Sequence, residues 1–503
     1  MQKVYRLSLM CVWLCLAVSC RSGQRAAPID VPSSAMQLAA EEASSDQLFS
    51  VDESLPPNWW SLFGDAQLTG FVETALIKSP NLQATRAKIM RAAANADSMR
   101  AALYPNIFWG ADVLRQKLSK TGLTSAFTQT AATPPSGSPP SATQLPVAGG
   151  LAGLPVYYSQ YETEFTLNFD FDIWGKNKNM FRAAMGQLRA NMADDAFSRL
   201  QLGISVAKVY YQLQVFYQRA AVAKALVDNQ NMQLNLNRQR VQQNLDTHQT
   251  IFRSQANLTN FKKSLLQLQG QITVAEYQLK TLLAGNFDEE ICNIQISEQA
   301  LPKVPLPQNL PLHLIAHRPD ITAQLWLIQS AGKQIKAAQA GFYPDFNIVA
   351  LIGLQSLRLD KLFEGRSSYF SVDPALTLPV FDGGKLIANL HNSEVNYDLA
   401  ILQYNQLVLN AVGEVLTDIA VLRNAEQQRL VLKENLEYQA NLVELAKLRI
   451  AHHVGSEFDF LVNEATLLQV QDLELEALGD TLQAILSLIQ ALGGGYDTCY
   501  GET

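Results

Sequence analysis

Beyond its first twenty residues, this 503-residue chain has no run of eighteen consecutive apolar residues, so any membrane crossing it makes must be built from strands rather than helices. Charge is sparse at 17%, and acids outnumber bases: the formal net charge is −7, or −9 once Lys3 and Arg6 leave with a leader. No sequence-wide basic face exists to hold nucleic acid. Cysteine is nearly absent. Of five, Cys11, Cys15 and Cys20 lie in the first twenty residues, which leaves Cys292 and Cys499 as either a disulfide or two free thiols. No glycine-rich loop cradles phosphate, and the scattered Asp, Ser and Lys form no nucleophile or acid–base constellation, so the reading is not an enzyme and needs no cofactor. His313 and His317 have the i, i+4 spacing of a metal pair, but no third ligand motif accompanies them, and a two-ligand match is a weak signal. His452-His453 reads as a solvated turn.

What is present begins with a leader. Lys3 and Arg6 precede an apolar core from Leu7 to Val18 and then Ala17-Val18-Ser19-Cys20. The pattern resembles a bacterial lipoprotein signal, residues 1–19, with Cys20 as the lipidated, palmitate-bearing first residue of the mature chain. It departs from that pattern in placing Leu16 one residue too far from the cysteine, and an ordinary secretory signal or an uncleaved anchor is the competing reading. Arg21 stands where inner-membrane retention favours aspartate, which points to the outer membrane.

Residues 20–57, with Pro28, Pro32, Pro56 and Pro57 around a polar middle, read as an extended tether. Order starts at Trp59-Trp60-Ser61-Leu62-Phe63-Gly64-Asp65. A short amphipathic helix closes at Ser79-Pro80, where serine caps and proline fits the next first turn; that next helix stops at Tyr104-Pro105. The same grammar returns later. Pro80 to Pro105 matches Pro319 to Pro344 without gaps at an offset of 239, and Gly175-Lys176, Arg240 and Ala256 match Gly384-Lys385, Arg449 and Ala465 at 209. The chain is therefore two tandem copies of one unit, residues 58–284 and 312–492. They are separated by segment 285–311 and followed by a tail, 493–503. The change of offset places a 30-residue insertion in the first copy, visible as the Ser-, Thr-, Pro- and Gly-rich stretch 119–155.

Each unit reads as helix, strand, loop, strand, very long helix, turn and returning helix. Phe165, Leu167, Phe169 and Phe171 alternate with polar residues before Asp172-Ile173-Trp174-Gly175-Lys176; Leu376, Leu378 and Val380 do so before Phe381-Asp382-Gly383-Gly384-Lys385. Four strands are expected, about 106–116, 157–174, 345–357 and 368–382. The helical hairpins span 176–284 and 385–492. The first long helix, Lys176 to about Asn244, would reach roughly 100 Å at 1.5 Å per residue, too long for a globular core. The returning helices carry heptads, Ile251, Leu258, Leu265, Ile272 and Leu279 in one and Leu461, Leu468, Leu475, Leu482 and Ile489 in the other, which are coiled-coil seams. Four strands cannot close a barrel, and in a bilayer each open edge leaves amides unpaired at several kcal/mol apiece. Pooling strands between copies resolves this. A solitary coiled-coil rod and a soluble sandwich are the competing architectures.

In combination, Trp59-Trp60 with Leu62-Phe63-Gly64-Asp65, Ser79-Pro80-Asn81-Leu82, Asp172 to Lys176, Arg318-Pro319-Asp320-Ile321, Tyr343-Pro344 and Phe381 to Lys385 resemble the outer-membrane efflux protein family. These are the TolC-type trimeric exit channels, and the likeness is closest to the lipoprotein members of the NodT or OprM kind. The resemblance covers nearly the whole mature chain. It implies a mainly α chain whose homotrimer forms a 12-stranded outer-membrane β-barrel, a 12-helix periplasmic α-barrel and a mixed equatorial belt. It also implies a periplasmic adaptor and an inner-membrane pump of the RND type, or an ABC exporter, as partners in multidrug efflux. The function it implies is passive exit from a tripartite efflux system. The alternatives are the channel of a type I protein secretion system and, in another class, a non-conducting periplasmic tether lipoprotein.

The family's hairpin tips carry Arg, three residues, Gly, an apolar residue, then Ser two further on. Here the first tip reads Arg240, Asn244, Leu245, Thr247 and the second Arg449, His453, Val454, Ser456, so both glycines are replaced. Asparagine tolerates a left-handed backbone; histidine does so less well, which makes Gly455 the candidate to take over the second turn. The resemblance assigns adaptor contact to Asn244, Leu245, Thr247, His453, Val454 and Ser456. It places the periplasmic gate near Phe458, Asp459, Val462 and Arg449, mainly apolar because Val462 replaces an acid; simple packing between helices is the competing role for Phe458. Gly175, Lys176, Gly383, Gly384 and Lys385 form the strand–helix junctions, where one glycine in the first copy and two in the second imply different bends.

Overall fold

The computed structural model describes residues 26–28, 49–51, 55–117, 157–285, 301–306 and 317–496. Cys20, Cys292, Cys499, His313 and the insertion 119–155 lie outside them. The chain divides into two compact units, one drawn from 1–94, 184–332 and 394–503, the other from 95–183 and 333–393.

The second unit holds a four-stranded antiparallel sheet in the order β2 (Asn106–Lys117), β3 (Tyr157–Phe171), β5 (Asp345–Ser356), β6 (Ser368–Thr377). A separate parallel pair, β1 (Phe49–Val51) with β4 (Val304–Leu306), belongs to the first unit. Register in the large sheet sorts side chains by face. Trp109 faces Phe165, Phe165 faces Ile352 and Ile352 faces Phe370, a row of apolar side chains 54–80% exposed. The adjacent row, Gly110, Glu164, Gly353 and Tyr369, points to the other face, where the Tyr369 hydroxyl donates to Glu162 and, at 2.8 Å, to Glu164 Oε2. One face is thus apolar and exposed among the described residues, the other polar.

In the first unit α1 (Ala66–Lys78) starts on Asp65, whose Oδ1 accepts the Gln67 and Leu68 amides at 2.8 and 3.0 Å. Its Oδ2 accepts the Tyr210 hydroxyl at 2.8 Å, which ties the cap to the long helix. Trp59 and Phe63 pack into the same core beside Leu68, Val72 and Ile204, so the aromatic opening motif is a structural plug. Next come α2 (Pro80–Ala101), α3 (Lys176–Gln242), α4 (His248–Leu282), α5 (Pro319–Ala340), α6 (Lys385–Ala451) and α7 (Glu457–Ala491). Every heptad position named above is at least partly buried, with Leu258, Leu279, Leu461, Leu475 and Ile489 fully so.

The repeat is reproduced closely in length. Both long helices have 67 residues, both returning helices 35, both short helices 22, and β2 and β5 have 12 each. Only the last strands differ, 15 residues for β3 against 10 for β6. The expected strand to Asp382 therefore stops at Thr377, because Thr377 lies opposite Asp345, the first residue of β5, and residues 378–382 have no partner strand among the described residues. Similarly β3 ends at Phe171 rather than Trp174, since Asp172 turns away to cap α3.

Candidate functional site

Both hairpin turns end their long helices with the same closure. Asn244, at φ 58°, donates to the Val241 carbonyl at 3.0 Å, and Leu245 to the Arg240 carbonyl at 2.8 Å. His453, also at φ 58°, donates to the Ile450 carbonyl at 2.9 Å, and Val454 to the Arg449 carbonyl at 2.9 Å. This left-handed C-cap satisfies carbonyls the helix would otherwise leave open. The expectation that Gly455 takes over the second turn is corrected: His453 itself adopts the left-handed conformation. Gly455 is needed for closeness, since a Cβ there would lie 2.8 Å from the Arg449 Cβ. The following helices are capped differently. Ser456 accepts the Phe458 amide at 3.1 Å, whereas Thr247 makes no such bond and Asp246 replaces it, accepting the Thr247 amide at 2.7 Å and the Thr250 hydroxyl at 2.6 Å. These bonds, that from Thr250 foremost, hold the Asp246 carboxyl below its usual range.

Leu245 and Val454 occupy equivalent places and are 67% and 72% exposed, so each turn offers solvent one apolar side chain. Phe458 is brought to Arg240 of the other hairpin, whose guanidinium lies 5.6 Å from its ring centroid. Arg449 and Asp459 are exposed, and Val462 is 41% exposed.

At the strand–helix junctions Gly175 has φ 74°, and Gly383 and Gly384 have φ 68° and 90°, conformations that suit glycine. Each junction is stapled by a carboxylate. Asp172 accepts the Asn177 and Lys178 amides at 3.0 and 2.7 Å; Asp382 accepts those of Gly384 and Leu386 at 2.9 and 2.7 Å. Lys176 lies 3.4 Å from Asp345, and Trp174 stacks on Tyr343 at 4.7 Å while donating to the Pro344 carbonyl at 2.9 Å.

Two further sets of residues were not singled out by sequence reading. Asn229 Nδ2 donates to Glu464 Oε2 at 2.7 Å and to the Leu461 carbonyl at 3.0 Å, and Gln233 to that carbonyl at 3.1 Å. Arg219 grips Asp472 with two nitrogens, at 2.8 and 3.1 Å, and reaches Glu476. The available signal was the spacing of four between Asn229, Gln233 and Asn237, a polar stripe where a seam is expected. Arg318 of the Arg-Pro-Asp motif is a buried clamp. It pairs with both Asp320 oxygens and donates to Glu414 and to the Ala491 carbonyl. His317 Nδ1 lies 2.8 Å from the Tyr496 carbonyl, an acceptor that calls for the ring N–H there. Among the described residues no cluster of three metal-ligating side chains occurs, and no helix is long and apolar enough to cross a membrane.

Residues 71–285 and 310–494 match the family described as outer membrane efflux protein. This chain belongs to that family. The multidrug resistance outer membrane protein MdtQ of Escherichia coli O6:H1 is 30% identical over 448 residues, 87% of this chain and 88% of its own length. Among solved structures, the outer membrane protein VceC of Vibrio cholerae is 27% identical with a TM-score of 0.72, covering 88% of this chain and 100% of its own. The CmeC outer membrane channel of Campylobacter jejuni shares the fold at 20% identity and a TM-score of 0.77, over 95% of each chain. The chain is thus an outer membrane efflux protein, and its apolar sheet face suits a lipid bilayer.

Proposed function

We propose that this chain is the passive exit duct of a tripartite efflux system, in which three copies pool their strands into a 12-stranded outer-membrane barrel and their hairpins into a 12-helix periplasmic tunnel. One observation carries the reading: each repeat supplies, between its short helix and its long hairpin in chain order, two strands of one four-stranded antiparallel sheet that has an exposed apolar face and, among the described residues, two open edges. Four strands are too few to shield their own edges from lipid, so copies must share them. Cys20 carries the lipid anchor. Asn244, Leu245, Thr247, His453, Val454 and Ser456 meet a periplasmic adaptor, with Leu245 and Val454 as its apolar contacts, and Phe458, Asp459, Val462 and Arg449 form the periplasmic mouth. An inner-membrane pump supplies energy and chooses cargo. The naming of MdtQ supports small drug-like cargo.

The test is purification from outer-membrane fractions followed by semi-native electrophoresis and planar-bilayer recording, with crosslinking in cells to capture adaptor and pump. A heat-dissociable trimer with ion conductance is expected. A soluble elongated dimer that conducts nothing overturns the reading in favour of a tether.

A further inference from the structure

We propose that the two open edges, β2 and β6, pair with each other between copies of this chain in one definite register, with Leu376 directly opposite Ala111 of the partner copy. The proposal rests on the strand-pooling reading above and adds the residue-level seam.

The register follows from the repeat. In an antiparallel pair, facing residue numbers add to a constant. That constant is 274 for β2 with β3, where Asn106 faces Asn168, and 722 for β5 with β6, where Asp345 faces Thr377. The difference, 448, is the two repeat offsets of 239 and 209 taken together, so those offsets hold through the strands as well as the helices. The remaining pair, β3 with β5, has the constant 517, as Phe171 faces Phe346. It joins the last strand of one repeat to the first strand of the other. Its counterpart is therefore β6 with β2 of the next copy. Carrying β3 forward by 209 and β5 back by 239 gives a constant of 487.

Two independent features agree with that value. First, it preserves the faces: Leu376 meets Ala111 and Pro374 meets Val113, all on the apolar side, whereas a slip of one residue would set Leu376 against Asp112 of the polar side. Second, it accounts for the short strand. Residues 169–171 at the end of β3 are paired by β5, but their equivalents, 378–380, have no partner strand among the described residues although Leu378 and Val380 keep the alternation of a strand. With the constant at 487, Val380, 90% exposed, lies opposite Ile107 of the partner copy, 64% exposed.

Cysteine pairs read the register directly. Facing residues have Cα atoms about 4.5–5.5 Å apart, within disulfide reach, whereas diagonal neighbours at roughly 7–8 Å are outside it. In a background with Cys292 and Cys499 changed to serine, Leu376→Cys combined with Ala111→Cys should give covalent dimers and trimers on non-reducing denaturing gels after mild oxidation. The yield should be at least tenfold above either single variant. Leu376→Cys with Trp109→Cys or with Val113→Cys should stay at the single-variant level. Reduced samples on semi-native gels establish that each variant still forms trimers. Crosslinking by a shifted pair, or by no pair, in variants that remain trimeric overturns the register. A parent protein that runs as a monomer overturns strand pooling, and the register with it.

Discussion

Arg240, at the end of the first hairpin's outgoing helix, lies over the ring of Phe458, in the first turn of the second hairpin's returning helix, 5.6 Å from its centroid. The two turns are therefore linked through a side chain whose partner is the residue assigned to the mouth. A contact of this kind at a partly exposed site is worth about 0.5–1 kcal/mol. If Phe458 helps to close the mouth, Phe458→Ala should raise open probability in planar bilayers, and Arg240→Ala, which frees the ring, should do so to a smaller degree. Unchanged open probability in both would assign Phe458 to packing alone.

The second turn holds a histidine in a left-handed conformation, with His453 at φ 58°. His453→Gly should therefore stabilise the hairpin by about 1 kcal/mol. Asn244→Gly should gain less, because asparagine already tolerates this region. Heat dissociation of the proposed trimer reads both. A loss of heat resistance in His453→Gly would mean that the imidazole makes a contact worth more than the backbone strain.

Asp382 staples the second junction, and its carboxyl is held below the usual range, first by the Leu386 amide and then by that of Gly384. A depressed folded pKa gives stability that is fully present above the unfolded value of about 3.9 and is lost as pH falls through the folded value. Asp382→Ala should thus lower the heat resistance of the proposed trimer at pH 7, with the gap to the parent closing as the pH drops below about 3.9. A gap that persists in acid would assign the loss to shape rather than charge. Gly384→Val, at φ 90°, should reduce trimer yield on semi-native gels at every pH, because its strain is steric.

Arg318 is only 5% exposed and answers Asp320, Glu414 and the Ala491 carbonyl. Arg318→Met leaves the half-buried Asp320 carboxylate with only the Ile321 amide and the Ala491 carbonyl without its charged donor, and should cost about 3 kcal/mol, seen as a large fall in assembly of the proposed trimer. Arg318→Lys keeps the charge but not the fork and should fall between. Normal trimer yield from Arg318→Met would remove the clamp from the forces that hold this end of the fold.

Much of this architecture was legible because the chain states it twice. Period-two runs such as Phe165 to Phe171 and heptads such as Leu461 to Ile489 are local patterns, and the repeat offsets tie them together. What was missed involves partners distant in sequence or breaks in the repeat. Asp172 and Asp382 perform the same capping task, but Asp382 stands one residue past the equivalent of Asp172, so aligning the copies hides them. The Leu378 to Val380 alternation is genuine, yet a strand needs a partner, and the described residues of the chain provide none beyond Asp345. At the second tip, propensity favoured Gly455 for the turn. The hydrogen bonds fix the left-handed residue four positions after Arg449 in the second copy, as four after Arg240 in the first, and that residue is His453.

The polar contacts from Asn229 and Gln233 to Leu461 and Glu464 mark one position along seams that are otherwise repetitive. Sliding α7 past α3 would draw Leu461 and Glu464 away from these buried amides, at roughly 1–3 kcal/mol for each group left without its partner. They act as an index mark that forbids axial travel. If the proposed mouth opens, it should accordingly do so by hairpins swinging or rotating sideways, with α3 and α7 keeping their longitudinal alignment throughout.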